Sequence, residues 1–143
     1  MRFYIATGLE NASRAKELSV VLSRNGHELT YDWMAQGDVR MQGKERLAEI
    51  AFNEVRAVRD AELVVALLPG GMGTHTEIGV AIASRSNKRI LIWSETGEHF
   101  CDEDKCCALY FHPAVERIVC TFDELIKKLD ADRIESTLGS DHN

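Results

Sequence analysis

Short apolar runs alternate with longer amphipathic segments along this chain. Five of the short runs are predicted as strands, at 2–6, 27–31, 62–68, 89–93 and 117–120. Positions 63–68 and 90–93 show no polar alternation, which is typical of parallel strands covered on both faces. The alternation of strands with helix-length segments therefore predicts an α/β domain built on a parallel sheet.

Four of the longer segments have helical spacing. The first carries an apolar stripe and ends at Asn25 and Gly26, a typical helix stop. Its stripe consists of Ala15, Leu18, Val21 and Leu22. The second begins at Lys44, with one predicted apolar face made of Leu47, Ile50, Ala51, Val55 and Val58. The others are expected at 74–86 and 122–133. The right-handed crossover rule then favours a doubly wound, mostly parallel five-stranded sheet with helices on both faces, in a flavodoxin-like or Rossmann-like order.

Length and composition fit one globular domain. Of the 143 residues, 1–135 are assigned to the domain and 136–143 to a tail that we expect to be disordered. A formal net charge of -6 argues against electrostatic binding to nucleic acid, but backbone N–H groups can still bind a small anion. No apolar run is long enough for a membrane span, and the first residues do not resemble a signal peptide. We therefore expect a cytoplasmic protein without membrane association.

Two segments are too long to be simple connections. They cover 32–43 and 94–113, and loops of this length in a compact domain are usually functional or mobile. The second contains His99, His112 and three of the four cysteines, the fourth being Cys120. Their spacing matches no compact zinc pattern, so neither a metal site nor another cofactor is expected, and the cysteines are predicted to be reduced thiols. The segment is expected to cover the site or to contact a second subunit.

The candidate site lies in two loops that follow strands and precede helices. They cover 6–13, which includes Gly8 and Ser13, and 69–76, "PGGMGTHT". In open parallel sheets, ligands bind at the carboxyl ends of the strands. Glycines at 70, 71 and 73 allow a ligand to approach the backbone, and a helix starting near Thr74 offers free N–H groups to an anion. The alternative is that the glycines only make a tight turn.

Two acidic residues occupy unusual positions. Glu77 lies in the first turns of an otherwise apolar helix, where it is either an N-terminal carboxylate favoured by the helix dipole or a nucleophile or base at the cleft. Glu54 falls on the inner stripe of the second long helix. A buried carboxylate needs a partner or a task. Glu54 is therefore either functional, paired with Arg56 or Arg59, or exposed by a break in the helix.

Several of these segments resemble one enzyme family. The strand "FYIATGL", the helix end "LSRNGHELTY" and the segment "EVRAVRDAELVVALLPGGMGTHTEIGVAIASRSNKRILIW" are similar to the nucleoside 2-deoxyribosyltransferase family, which includes nucleoside 5'-monophosphate N-glycosidases. The most specific part is Gly-x-x-x-Glu-hydrophobic-Gly-x-Ala, matched from Gly73 to Ala81. The resemblance implies cleavage or transfer of an N-glycosidic bond in a homodimer or larger homo-oligomer.

The resemblance also implies roles for particular residues. Glu77 would attack the anomeric carbon, Tyr4 would orient it, and Glu54 stands where the family has an aspartate. Transferases of the family carry an acid six residues before the nucleophile, and here that position is Gly71. Protonation of the leaving base would then fall to His75, Asp32 or water. Trp33 is a candidate for stacking on a base, although it could equally be a partly buried surface residue.

Two other functions fit the same motifs. "PGGMGTHTE" also resembles the Pro-Gly-Gly-x-Gly-Thr-x-x-Glu motif of cytokinin-activating phosphoribohydrolases, which would act without a covalent intermediate. The absence of an acid at Gly71 leaves open a nucleotide-binding sensor without turnover. Thr74, Thr76 and Ser13 are candidates for holding a 5'-phosphate or 5'-hydroxyl in any of these cases.

Overall fold

A computed structural model describes residues 1–84 and 87–138, with side chains up to residue 132. Its five strands are β1 (Arg2–Ala6), β2 (Glu28–Leu29), β3 (Leu63–Leu67), β4 (Arg89–Ser94) and β5 (Val115–Val119). All neighbouring strands pair in parallel, in the order β2-β1-β3-β4-β5. The predicted α/β class and flavodoxin-like order are confirmed.

In the described part of the chain, five α-helices connect or follow the strands. They are α1 (Ala12–Arg24), α2 (Lys44–Asp60), α3 (Met72–Ala83), α4 (Glu98–Cys101) and α5 (Phe122–Leu138). Three short 3-10 helices lie at Leu9–Asn11, Trp33–Gln36 and Ala108–Phe111. Within the described residues, no helix is long and apolar enough to cross a bilayer.

The alternation of side chains along each strand divides the core between the two faces of the sheet. In β1, Phe3 and Ile5 pack with α1 and α5, whereas Tyr4 and Ala6 pack with α2 and α3. The strands β3 and β4 divide their side chains in the same way. Because both faces are covered, these strands need apolar residues at consecutive positions. Tyr4 is consequently placed on the face that carries Glu54 and Glu77.

Several predicted boundaries differ from those observed. The edge strand β2 is shorter than 27–31, because the chain turns away where the Asp32 carboxylate accepts a hydrogen bond from the Ala35 N–H. The strand β5 begins earlier than predicted, with Glu116 paired to Arg89 of β4. Helix α3 begins at Met72 and ends before 85–86, which lie outside the described residues. Helix α5 continues beyond 133 to Leu138, so 136–138 are helical, and the rest of the expected tail is not described.

The predicted apolar face of α2 is too broad. Ile50 and Val58 are buried, but Ala51 and Val55 are exposed. A helix turns by about 100° per residue, so a face centred on Ile50 and Val58 directs Ala51 and Val55 to its flank. Phe52, on the same flank, is 67% exposed. The outer side of α2 therefore presents an apolar surface to its surroundings.

Candidate active site

A cavity of about 360 Å³ opens at the carboxyl ends of β1 and β3. It is bounded by the loop after β1, the loop that follows β2, the inner face of α2 and the first turns of α3. Its lining residues are Thr7, Gly8, Leu9, Trp33, Gln36, Gly37, Asp38, Val39, Arg40, Ile50, Glu54, Gly71, Met72, Gly73, Thr74 and Glu77. The cavity lies at the edge of the sheet where ligands bind in doubly wound folds.

Hydrogen bonds join the two strand-end loops beneath this cavity. The buried Thr7 hydroxyl donates to the Leu67 carbonyl at 2.6 Å. The Asn11 side-chain amide donates to the Pro69 carbonyl at 3.3 Å. These bonds link positions about sixty residues apart in the sequence. They therefore fix the loop after β1 against the loop 69–76 that leads into α3, which we call the glycine loop.

The glycine loop fits closely around Thr74. A Cβ on Gly70 would lie 2.5 Å from Thr74 Cγ2, so Gly70 is needed for packing. The buried Thr74 hydroxyl accepts a hydrogen bond from the Gly71 N–H at 3.2 Å. Gly71 precedes α3 as its N-cap, and helices leave the N–H groups of their first turn without partners inside the helix. Met72 and Gly73 therefore bring N–H donors and the positive end of the helix dipole to the cavity.

Glu77 lies one turn further along α3, with its carboxyl group largely buried. Among the described residues, the buried side-chain polar atoms without a hydrogen-bond partner are the Tyr4 hydroxyl and Glu77 Oε2. The pKa of Glu77 is raised to about 8, chiefly by burial; the Tyr4 hydroxyl lowers this pKa, and the nearby Glu54 charge raises it. The hydroxyl is thus close enough to act on the carboxyl although the pair lacks standard hydrogen-bond geometry. Burial, followed by the Glu77 charge, also raises the pKa of Tyr4.

Glu54 reaches the same cavity from α2. Its carboxyl group is half-buried, and burial raises its pKa. Among the described residues it forms no ion pair; Arg56 pairs with Asp60 instead, at 3.8 Å. Helix α2 is continuous through this position. The structure thus favours neither the ion pair nor the helix break, and it brings Glu54 and Glu77 into one cavity with Tyr4 behind them.

The loop after β2 supplies most of the lining residues that the sequence analysis did not single out. The Trp33 indole N–H donates to the Ile5 carbonyl at 2.7 Å, which fixes the ring at the end of β1. Arg40 forms a two-pronged ion pair with Asp38, with its shortest contact at 2.6 Å. This pairing holds the pKa of Asp38 at about 2. The length of segment 32–43 was the available signal for this part of the site, but it did not identify Gln36, Asp38 or Arg40.

The predicted site residues fall into three groups. Those that line the cavity are Glu77, Glu54, Gly8, Trp33, Gly71, Gly73 and Thr74. Tyr4 lies behind the lining, against Glu77. Ser13, Asp32, Gly70 and His75 are not among the lining residues. Ser13 is exposed on α1, and Asp32 caps a 3-10 helix.

His75 is engaged on the side of α3 that packs against segment 94–113. Its Nδ1 lies 2.7 Å from the Gly71 carbonyl oxygen, and its Nε2 lies 2.6 Å from the Tyr110 hydroxyl. Both ring nitrogens therefore have protein partners. This arrangement does not support the suggested role of His75 in protonating a leaving base.

Segment 94–113 is folded against the sheet and α3. It includes α4 and a 3-10 helix that contains the buried Tyr110, and His99 makes a buried 2.8 Å hydrogen bond with the Ser94 hydroxyl. All four cysteines are free. Across residues 1–84 and 87–132, no group of three or more His, Cys, Asp or Glu side chains is arranged to hold a metal ion.

Comparison with known proteins gives a match in structure alone. No family model and no curated protein matches the sequence. Among the solved structures that match is the CMP N-glycosidase BcmB of Clostridium botulinum, with a TM-score of 0.64 and 22% sequence identity. The match covers 91% of this chain and 99% of the other. The chain thus shares its fold with a CMP N-glycosidase, a kind of enzyme that the sequence resemblance includes.

Proposed function

We propose that this protein is an enzyme that cleaves or transfers the N-glycosidic bond of a nucleoside, a deoxynucleoside or a nucleoside 5'-monophosphate. The observation that carries the proposal is the Glu77 carboxyl group, which lines the strand-end cavity with one buried oxygen lacking a hydrogen-bond partner. An unpaired buried oxygen is costly for stability, and such groups are typical of functional sites. The fold shared with a CMP N-glycosidase supports the same chemistry.

Glu77 acts as the nucleophile in this proposal. As the bond between C1' and the base nitrogen breaks, the sugar becomes oxocarbenium-like, and a carboxylate beside C1' stabilises the positive charge. A Glu77 oxygen then bonds to C1', while the departing base takes up a proton. Water or a second base next attacks C1' and releases the carboxylate, and the attacking group loses its proton. Exclusion of water from the cavity decides between transfer and hydrolysis.

Tyr4 and Glu54 assist Glu77. Once Glu77 is ionised, the Tyr4 hydroxyl moves into hydrogen-bond geometry and donates to the carboxylate, because its raised pKa keeps this buried hydroxyl protonated. Glu54 supplies the second carboxyl group in the cavity. The Glu54 charge raises the pKa of Glu77 and so sets the pH at which the nucleophile forms. The departing base takes its proton from water, because Gly71 cannot provide an acid.

The glycine loop and Trp33 hold the substrate. N–H groups at Met72, Gly73 and Thr74 are placed for a 5'-phosphate or 5'-hydroxyl, with Gly8 leaving room on the opposite loop. The Trp33 ring, fixed by its bond to Ile5, offers a flat surface for the base. Ser13 and Asp32 would join the site only if the loops move when the substrate binds.

The outer side of α2 is the proposed contact with a second copy of the chain. The exposed Phe52 and Val55 border a depression of about 580 Å³ that is also lined by Arg56, Arg59 and Asp60. Both charge signs therefore lie beside the apolar surface, so an antiparallel α2 from another copy would place arginines opposite aspartates. We place this oligomer in the cytoplasm, where the free cysteines remain reduced.

Base release tests the proposed function. The protein and its Glu77→Gln variant would be incubated with separate pools of deoxynucleosides, ribonucleosides and their 5'-monophosphates, with and without a free acceptor base, and the products separated by chromatography. We expect free or exchanged base from one pool and at least a 100-fold loss in the variant. A trapped glycosyl-enzyme would separate this mechanism from that of a phosphoribohydrolase. Thermal stabilisation without product from any pool would support the sensor instead.

A further inference from the structure

We propose that His75 and Tyr110 form a clamp that positions the glycine loop, and that His75 is therefore a positioning residue for substrate binding. The clamp is the chain of contacts from Tyr110 through the His75 ring to the Gly71 carbonyl. For its kinetic consequence the inference rests on the proposed function, whereas its structural part does not.

The contacts of the ring define its protonation. A carbonyl oxygen only accepts hydrogen bonds, so Nδ1, which lies 2.7 Å from the Gly71 oxygen, carries the proton. In the neutral ring, Nε2 then accepts a hydrogen bond from the Tyr110 hydroxyl at 2.6 Å. Burial raises the pKa of Tyr110 to about 12, which keeps this hydroxyl protonated. The chain of donors therefore runs from Tyr110 to His75 and from His75 to Gly71.

Tyr110 is a fixed anchor for this chain. Its side chain is 2% exposed and packs edge-on against Phe100, with ring centroids 5.8 Å apart. Its carbonyl accepts a hydrogen bond from the Arg117 guanidinium at 3.0 Å, which links the 3-10 helix to β5. The His75 ring is thus held from the far side by a residue of segment 94–113.

The clamp acts on the N–H groups at the cavity through the geometry of the peptide. In a planar trans peptide, the C=O and N–H bonds point in opposite directions. Directing the Gly71 carbonyl towards His75 therefore directs the Met72 N–H out of the end of α3, where Gly71 and Met72 line the cavity. The same carbonyl also accepts from the His75 backbone N–H at 3.2 Å. Two bonds to one carbonyl polarise the peptide and make its N–H a stronger donor.

Paired substitutions at His75 separate the two halves of the clamp. His75→Asn retains a short donor for the Gly71 carbonyl and loses the link to Tyr110. His75→Gln reaches towards Tyr110 and loses the geometry of Nδ1, and Tyr110→Phe removes only the hydroxyl. His112→Asn is the matched control, because this histidine ends the same segment and its Nδ1 accepts a hydrogen bond from the Ala114 N–H.

The structural test is NMR of the imidazole and backbone nitrogens. We expect long-range proton–nitrogen spectra to show a pyrrole-like Nδ1 and a pyridine-like Nε2 at His75. The Nε2 signal should move in Tyr110→Phe, and the Met72 and Gly73 amide signals should move in His75→Gln more than in His75→Asn. Protonation at Nε2, or amide signals that respond equally to His112→Asn, would overturn the clamp.

The kinetic test uses CMP and deoxycytidine with the same variants. Loss of one hydrogen bond should raise KM about 2- to 10-fold in His75→Gln and by a smaller factor in His75→Asn and Tyr110→Phe, with kcat within about twofold in each variant. An equal fall of kcat in all His75 variants would contradict a positioning role. If the unmodified protein turns over neither substrate in this test nor any of the pools, the proposed function fails, and the NMR result alone decides on the clamp.

Discussion

At the scale of single residues, the burial that raises the pKa of the Glu77 carboxyl group also lowers the free energy of unfolding at neutral pH. Its pKa in the folded protein is about 8, above the 4.5 expected when the chain unfolds. The unfolded state therefore releases this proton first as the pH rises, and the folded state loses stability between about pH 4.5 and 8. Over the part of this window below pH 7, the loss is on the order of 3 kcal/mol.

Replacing Glu77 by glutamine should consequently stabilise the protein in a pH-dependent manner. We expect Glu77→Gln to raise the unfolding free energy by roughly 2–4 kcal/mol at pH 7 and by much less at pH 4.5, because below its unfolded pKa the glutamate is protonated in both states. Urea unfolding at the two pH values measures the difference. Glu17→Gln, on the exposed side of α1, is the control. A gain that is equal at both pH values would contradict the assigned burial.

Removing Glu54 and removing the Tyr4 hydroxyl should shift the pKa of Glu77 in opposite directions. If the ionised carboxylate is the nucleophile, kcat/KM rises with pH and levels off above about pH 8 in the unmodified protein. Glu54→Gln removes a nearby negative charge and should shift this limb to lower pH, whereas Tyr4→Phe removes a stabilising donor and should shift it to higher pH. Profiles of kcat/KM against pH for the three proteins measure these shifts. Shifts in the same direction would show that the two groups do not act on Glu77 as described.

At the scale of elements, the turn from β3 to α3 depends on the absence of a side chain at Gly70. Gly70→Ala would place a Cβ 2.5 Å from Thr74, whose side chain is buried and hydrogen-bonded to Gly71. We expect a loss of roughly 1–3 kcal/mol in unfolding free energy, as for overpacked core sites. Gly71→Ala is the matched control, since nothing lies within 4 Å of its added Cβ. Equal unfolding midpoints in urea for the two variants would show that the Thr74 side chain can move aside without a loss of unfolding free energy.

The sequence predicted the helices and strands better than it predicted which distant residues contact one another. Consecutive apolar residues in β3 and β4 indicate strands that are buried on both faces, and this signal is local in the sequence. The glycines before Glu77 likewise indicate a strand that leads into a helix. In contrast, Asp38 and Arg40 enter the cavity because Trp33 is tied to Ile5, 28 positions away. Likewise, the sequence suggested that His75 binds the substrate, whereas in the structure its ring contacts the hydroxyl of Tyr110, 35 positions later. Such pairings depend on the folded loops and leave no periodic pattern.

At the scale of the whole molecule, the helix that carries Glu54 also leaves apolar side chains exposed. Helices α1 and α5 pack on one core, while α2 packs on the other through Ala57 and Val58 and leaves Phe52 and Val55 exposed. Exposed apolar surface beside charges of both signs is a feature of protein interfaces. The same helix carries Glu54 into the cavity, so association through its outer side would hold the inner side in place.

Disrupting this surface should therefore separate the copies of the chain. We expect the combined variant Phe52→Ser and Val55→Ser to raise the dissociation constant of the oligomer at least about tenfold, because interface energy concentrates in a few apolar side chains. Light scattering across a dilution series measures the change. Val20→Ser on α1 is the matched control, since Val20 and Val55 are each 41% exposed on opposite sides of the sheet. If the unmodified protein is a monomer at all concentrations, the contact through α2 is refuted. If the variant remains associated, the copies meet through another surface, and we would then expect segment 94–113 to supply it.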